Sequence, residues 1–225
     1  EVMLESSIPT RNPTQTLAEV FAFFRAARSR FPQLEAFGVA SFGPLDIDPA
    51  SPRYGCLLDT PKAGWSGFDL RGEIVREFGT PVGVNTDVNA AGLAEGRWGH
   101  GKGLRNLVYV TVGTGIGAGI IYEGAPLFGL SHPEIGHIQV RRHALDQQFK
   151  GICPFHGDCL EGLASGPAIS ARNGCSLSDA DHGDPIWAIE ADYLGQLCAQ
   201  LVTTVSPQRI LIGGGVMKQE RLFGL

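Results

Sequence analysis

Two cysteines and a histidine crowd one short stretch of this 225-residue chain, Cys-Pro-Phe-His-Gly-Asp-Cys, as Cys153, His156 and Cys159. His137 precedes them. Two thiolates and two imidazoles make the closed tetrahedral set of a structural zinc site, and the two-residue gaps suit a short chelating loop. Pro154 and Gly157 favour the tight turns such a loop needs. Two other readings fit the same residues. One is a Cys153–Cys159 disulfide, which a reducing compartment disfavours; the other is a set of unrelated buried side chains. On spacing alone, His132 and His143 are rival fourth ligands. Cys56, Cys175 and Cys198 read as ordinary small core residues.

Three further motifs could carry chemistry. In His-Pro-Glu-Ile-Gly-His (His132–His137), Glu134 and His137 stand three apart, so a helical turn would set them on one face. That arrangement suits a metal or sugar hydroxyls, and a solvated surface Glu is the plainer reading. In Asn-Thr-Asp-Val-Asn-Ala-Ala (Asn85–Ala91), Asp87 lies where a short strand runs into a helix. Ligands of α/β proteins bind at such strand ends, and a carboxylate there could take a proton from a substrate hydroxyl. A helix cap is the competing role, since Thr, Asp and Asn all cap well.

The third motif is Val-Thr-Val-Gly-Thr-Gly-Ile-Gly-Ala-Gly, Val110–Gly119. Its Gly113-x-Gly115-x-x-Ala118 formally matches a dinucleotide fingerprint, with Glu134 near the acidic position. That fingerprint opens a helix, whereas Gly, Ile, Ile and Tyr follow here and favour a strand. The remaining readings are a bare hairpin, whose glycines serve positive φ angles, and a turn that wraps phosphates with threonine hydroxyls and unhindered N–H groups. No G-x-x-x-x-G-K-[ST] occurs, which excludes a P-loop enzyme.

The elements that must position these groups alternate between helix and strand, so the fold class is α/β. Asn12-Pro13-Thr14-Gln15 predicts a helix start, with a capping Asn, Pro at the first position and Gln closing a capping box. Ala36–Gly43 reads as a buried strand and Ser66–Phe78 as a helix ended by Gly79 and Pro81. Pro81–Asp87 is a strand leading into the helix Asn89–Trp98. Leu107–Val112 and Ala118–Tyr122 are strands joined by the glycine run. Asp184-Pro185 opens a long helix with Ile186, Ile189, Tyr193, Leu197 and Leu201 on one face, and Arg209–Gly215 is a strand entering a triple-glycine turn. The pattern breaks at Gly99–Arg105, which predicts two domains, 1–105 and 106–225.

Composition narrows the function classes. Lys and Arg number 18 against 23 Asp and Glu, a net charge of −5 without a basic stretch, so a nucleic-acid partner is not expected. The longest uncharged run, Asn106–Tyr122, carries four glycines and two threonines and is a poor membrane span. Five cysteines, an odd number at low density, predict a reducing, cytoplasmic setting.

Taken together, the segments SIPT…PTQTL, VASFGPLD, TPKAGW, VNTDVNAAGLAEG, VYVTVGTGIGAG, SHPEIGH, CPFHGDCLEGLASGPA and SPQRILIGGGVM resemble the ROK family of repressors and sugar kinases, most closely its bacterial fructokinase branch. The segments run from Ser7 to Met217, and the pairing of EIGH with CPFHGDC is the most specific of them. The resemblance implies a two-lobed actin/hexokinase-like fold built on ribonuclease-H-like sheets, with sugar and ATP meeting in the cleft. It implies that Asp87 is the catalytic base and that Thr86, Glu134, His137 and Glu161 hold sugar hydroxyls. Gly113, Thr114, Gly115 and Gly117 match the second phosphate loop, and Gly213 and Gly214 the adenosine-side turn. By the same resemblance His137 ligates zinc through one nitrogen and faces the sugar with the other. Thr at position 86, where many relatives carry Asn, is the form associated with fructokinases.

The implied activity is ATP-dependent phosphorylation of a hexose, fructose to fructose 6-phosphate, with magnesium accompanying ATP, a structural zinc and a homodimer. The alternative is the sugar-sensing part of a ROK transcriptional regulator, which needs an amino-terminal helix-turn-helix that this chain does not show. The family's first phosphate loop, an Asp-x-Gly-Gly-Thr hairpin, does not appear, and the chain stops soon after GGGVM. The expectation is therefore a chain truncated at both ends that does not transfer phosphate at a normal rate, and a third reading is an inactive fragment kept whole by zinc and dimerisation.

Overall fold

The structure, a computed structural model, describes residues 2–225. The chain forms two compact units. The first runs to Asp87 and takes in Phe128–His132; the second comprises Val88–Leu127 and Pro133–Leu225.

In the first unit, helix α1 (Pro13–Arg30) begins as its sequence implies. Asn12 Oδ1 accepts the Gln15 N–H at 2.9 Å, the Asn12 amide donates to Gln15 Oε1 at 3.0 Å, and Pro13 fills the first position. Strand β1 (Phe37–Ser41) is followed by helix α2 (Leu70–Phe78) and strand β2 (Val82–Thr86). The two strands pair in parallel, Phe37 opposite Val82 and Ser41 opposite Thr86. Helix α2 starts four residues after the predicted Ser66, because that hydroxyl is committed to Thr60. It accepts the Thr60 N–H at 3.0 Å and donates to the Thr60 carbonyl at 2.9 Å. Asp69 caps α2 instead, accepting the Gly72 N–H at 2.7 Å. Leu17, Phe37, Leu57, Ile74, Phe78 and Val84 form the core, with Phe24 edge-on to Phe37. Tyr54 lies along β2, its hydroxyl accepting the Val84 N–H at 3.0 Å and donating to the Val84 carbonyl at 3.2 Å.

The second unit holds most of helix α3 (Asp87–Trp98) and a four-stranded sheet. Strands β3 (Leu107–Val112) and β4 (Ile116–Tyr122) form an antiparallel hairpin, and β5 (Ala125–Pro126) pairs with β4. After helices α4 (Leu160–Ala164), α5 (Gly166–Asn173) and α6 (Ile186–Val205), strand β6 (Arg209–Gly213) joins β3 in parallel. The hairpin answers the choice left by the glycine run: a strand follows it, not the helix that a dinucleotide fingerprint requires. The division between units falls at Asp87–Val88, upstream of the Gly99–Arg105 break, since α3 lies on β4. The backbone of Val88 and Asn89 rests directly on Gly119, and Gly92 lies on Ile121.

All five residues predicted for one face of α6 are buried, and they close over Val108, Val110 and Val112 of β3 together with Leu160, Leu163 and Ile169. Under this core lies a polar knot. Arg172 Nε bonds Asp146 Oδ1 at 2.8 Å, Tyr193 Oη donates to Asp146 Oδ2 at 2.7 Å, and Arg172 Nη2 reaches the Leu163 carbonyl. No helix among the described residues is long and apolar enough to cross a membrane.

Candidate functional site

The second unit gathers His137, Cys153, His156 and Cys159 into one cluster, with one donor atom from each lying within 4.8 Å of the others. Both imidazoles present Nδ1. The His137 nitrogen is 3.4 Å from Cys159 Sγ and 3.7 Å from Cys153 Sγ, and the His156 nitrogen is 3.7 Å from Cys153 Sγ. A tetrahedral zinc with Zn–S near ~2.3 Å and Zn–N near ~2.0–2.1 Å has sulfur–nitrogen edges of about 3.5–3.6 Å. The four residues therefore fit that ion in both donor chemistry and spacing.

The loop that presents them is closed by its own backbone. Cys153 and Gly157 exchange hydrogen bonds at 3.1 and 2.9 Å, and the Ile152 N–H reaches the Gly162 carbonyl at 3.0 Å. Burial pushes the Cys159 thiol up to about 11 and the neighbouring Cys153 thiol adds to the rise, while the N–H groups of Gly162 and Glu161 oppose it. A bound divalent cation reverses that preference by stabilising the thiolate.

The alternatives open at the level of sequence are resolved by placement. Cys153 and Cys159 are free thiols, so they form no disulfide. The His132 ring nitrogen Nε2 accepts the Leu45 N–H at 3.3 Å, and His143 Nδ1 accepts the Leu145 N–H at 3.2 Å; neither belongs to the cluster. Cys56, Cys175 and Cys198 are half-buried and do not belong to the central core. Cys198 lies within α6, while Cys56 and Cys175 lie outside the helices and strands.

Glu134 and His137 bracket a single 3₁₀ turn, Ile135–His137, with the His137 N–H on the Glu134 carbonyl at 3.0 Å. Residues i and i+3 eclipse in such a turn, so the shared face expected of them is kept. Glu134 is exposed and His137 half-buried. Gly136 between them has no room for a side chain: a Cβ there would lie 1.8 Å from the Ile116 carbonyl oxygen. The EIGH turn thus rests its backbone on the start of β4.

The two glycine motifs meet at one edge of the sheet. Thr111 of β3 pairs with Gly213 of β6, so Gly113–Gly117 and Gly213–Gly214 follow the carboxyl ends of adjacent parallel strands. Ligands of α/β sheets collect at such ends. Gly214 adopts φ 100°, and a Cβ on it would stand 2.3 Å from the Val112 carbonyl oxygen, so only glycine permits this approach. The Gly113 N–H bonds the Gly115 carbonyl at 2.9 Å, which tightens the turn around Thr114.

Glu161, in the first turn of α4, sends Oε2 to the Ile116 N–H at 2.9 Å. At the end of β2 in the first unit, Thr86 is buried and Asp87, the first residue of α3, is exposed. Asp87 thus stands where a buried strand end passes into the first turn of α3.

Two contributors escaped the sequence reading. Gly166, the first residue of α5, donates its N–H to the Gly113 carbonyl at 2.8 Å, and the Ile116 amide is the acceptor-seeking group that Glu161 satisfies. A signal for the first was present in Ser165-Gly166-Pro167, a cap followed by Pro in the first turn. Ser165 Oγ does accept the Ala168 N–H, at 3.4 Å. Nothing in the sequence marked Ile116.

The ROK family profile matches residues 1–224. The fructokinase of Zymomonas mobilis is 45% identical over 213 residues, covering 93% of this chain and 71% of that protein. Among solved structures, the ROK hexokinase from Thermus thermophilus superposes with a TM-score of 0.76 at 25% identity, over 97% of this chain and 76% of its own. A ROK family transcriptional regulator, a homologue of the Escherichia coli MLC protein, superposes with a TM-score of 0.78 at 27% identity, over 100% of this chain and 62% of its own.

Proposed function

Because the chain belongs to the ROK family, we propose that it is an ATP-dependent hexose kinase acting on fructose to give fructose 6-phosphate. The observation that carries the reading is the pairing of Thr111 with Gly213, which sets two glycine turns side by side at the carboxyl ends of parallel strands. Backbone N–H groups there are free of side-chain bulk and suit a nucleotide's phosphates. Identity of 45% to a fructokinase supports fructose as the sugar.

In this reading Asp87 accepts the proton of the sugar's primary hydroxyl as its oxygen attacks the γ-phosphorus in line. Thr86, Glu134, His137 and Glu161 orient the sugar by its hydroxyls, and Gly113, Thr114, Gly115 and Gly117 hold the phosphates. Gly213 and Gly214 line the adenosine side. Magnesium accompanies ATP and offsets phosphate charge. Little covalent chemistry falls to the protein, so its contribution is positioning and electrostatics.

His137, Cys153, His156 and Cys159 would hold a zinc ion, which supplies structure to their loop and no reaction step. His137 turns Nδ1 to that cluster, which leaves Nε2 for a sugar hydroxyl. A homodimer and a reducing, cytoplasmic setting complete the reading, in keeping with five free thiols. No nucleic acid or membrane enters it.

The test is ADP release with magnesium and ATP in the presence of fructose, glucose or mannose, one at a time. Fructose should give the highest kcat/KM; no ADP release with any of the three would refute the proposal. A second reading, a sugar-sensing regulator, is favoured by the superposition of the MLC homologue over the whole chain. It would show as fructose binding without ADP release.

A further inference from the structure

Both ends of the phosphate turn are held by one short segment, Cys159–Gly166. At one end Gly166 donates its N–H to the Gly113 carbonyl at 2.8 Å. At the other, Glu161 Oε2 accepts the Ile116 N–H at 2.9 Å. The residues between, Thr114 and Gly115, are thus suspended from the α4–α5 corner. Contact there is tight: a Cβ on Gly115 would lie 2.7 Å from the same Glu161 oxygen.

The corner is in turn fixed from two sides. Its first residue is Cys159, whose thiol belongs to the metal-binding cluster, and α4 begins at the very next residue. Arg172 binds the Leu163 carbonyl at the far end of α4, while its Nε is tied to the buried Asp146. Glu161 therefore has a stiff mounting and a definite reach, about the span of one hydrogen bond to Ile116.

We infer that Glu161 is a positioning residue for the nucleotide: by holding the Ile116 amide it sets the shape of the Gly113–Ile116 turn, and it transmits the order of the metal loop to the phosphate site. This role is separate from the sugar contact that the proposed function gives the same side chain, and it rests on that proposal only in taking the turn as a phosphate site. It makes ADP affinity in the absence of sugar depend on Glu161 and on the metal.

The experiment measures Mg·ADP binding by titration calorimetry without sugar, on the wild-type chain and two conservative variants, with zinc per chain determined on each. Glu161→Asp keeps the charge and suits the first turn of a helix, yet its shorter side chain cannot reach Ile116. Glu161→Gln keeps the reach and an acceptor oxygen. Glu161→Asp should bind ADP roughly tenfold more weakly, in line with losing a hydrogen bond to a charged acceptor. Glu161→Gln should stay within about threefold of wild type, since a neutral acceptor retains part of that bond. Both should keep one zinc per chain, and zinc removal from the wild type should weaken ADP binding in the same direction. Undiminished ADP binding in Glu161→Asp, or equal weakening in both variants, would overturn the inference and leave the kinase reading intact. Absence of ADP binding by the wild-type chain would instead overturn the kinase reading, and this inference with it.

Discussion

Arg172 and Asp146 form an ion pair at 2.8 Å with side chains only 9% and 3% exposed. The pair lies 26 residues apart in sequence and joins the segment after the EIGH turn to α5. Arg142 completes the surroundings by donating to the Asp146 and Phe149 carbonyls. A buried pair adds little net stability over a well-packed apolar substitute, but breaking one leaves a stranded charge. Asp146→Ala should therefore destabilise the chain by about 3–5 kcal/mol, measured by urea unfolding. A loss under about 1 kcal/mol, the range of exposed pairs, would contradict the burial described for it.

The metal prediction is independent of catalysis. Elemental analysis should find one zinc per chain, and Cys159→Ser should lose it. Because ligand binding and local folding are linked, chelation should raise amide exchange across Gly136–Gly162 and leave the first unit's core unaffected. A zinc-free protein with full protection in that loop would show that the four side chains hold the fold without an ion.

Asp87→Asn is expected to keep fructose binding while lowering turnover by roughly 10²–10⁴-fold, the usual cost of removing a general base. The substitution keeps the helix start, because Asn caps as well as Asp. Turnover at the wild-type rate would reduce Asp87 to that capping role.

Glu190 offers a prediction on pH. It is wholly buried on α6, and burial holds its carboxyl protonated well above the usual carboxylate range, with the charge of Arg172 acting the other way. A carboxyl whose folded value lies above its unfolded one has its full stabilising effect below the unfolded value, near 4.5. That effect is lost as pH rises toward the folded value, since the unfolded chain sheds the proton first. Glu190→Gln removes the titration. Its stability advantage over wild type should grow by about 1.4 kcal/mol per pH unit above the unfolded value. Parallel stability–pH curves for the two proteins would show that Glu190 ionises freely in the fold.

Short-range features of this molecule were readable from residue order. The α1 cap needs only Asn12 to Gln15, and three of the four side chains of the candidate metal cluster lie within seven residues. The hairpin of β3 and β4 follows from β-prone runs around glycine, and the α6 face from its period. Features that depend on distant partners were not readable. Ser66 looked like the start of a helix because its bonds to Thr60 are a tertiary matter of a turn, and the helix waited for Asp69. Arg172 on α5, Glu190 on α6 and Asp146 in a short 3₁₀ turn carried no local mark at all, since a charged side chain normally points to water. Gly136 read as one glycine in a motif, while its need comes from an Ile116 carbonyl twenty residues upstream.

The parallel pairing of β3 with β6 also sets a clock. Val110 meets Ile212, about a hundred residues later in the chain. The β3–β4 hairpin is local and can close in roughly 1–10 μs. At a synthesis rate of about 5–20 residues per second, the strand destined for the other edge of β3 leaves the ribosome some 5–20 seconds afterwards. Throughout that interval a run of Leu, Val, Tyr, Val, Thr and Val stands with one side unpaired, an invitation to the wrong neighbour. β6 covers that side of β3, so the hairpin alone leaves one side of its first strand uncovered.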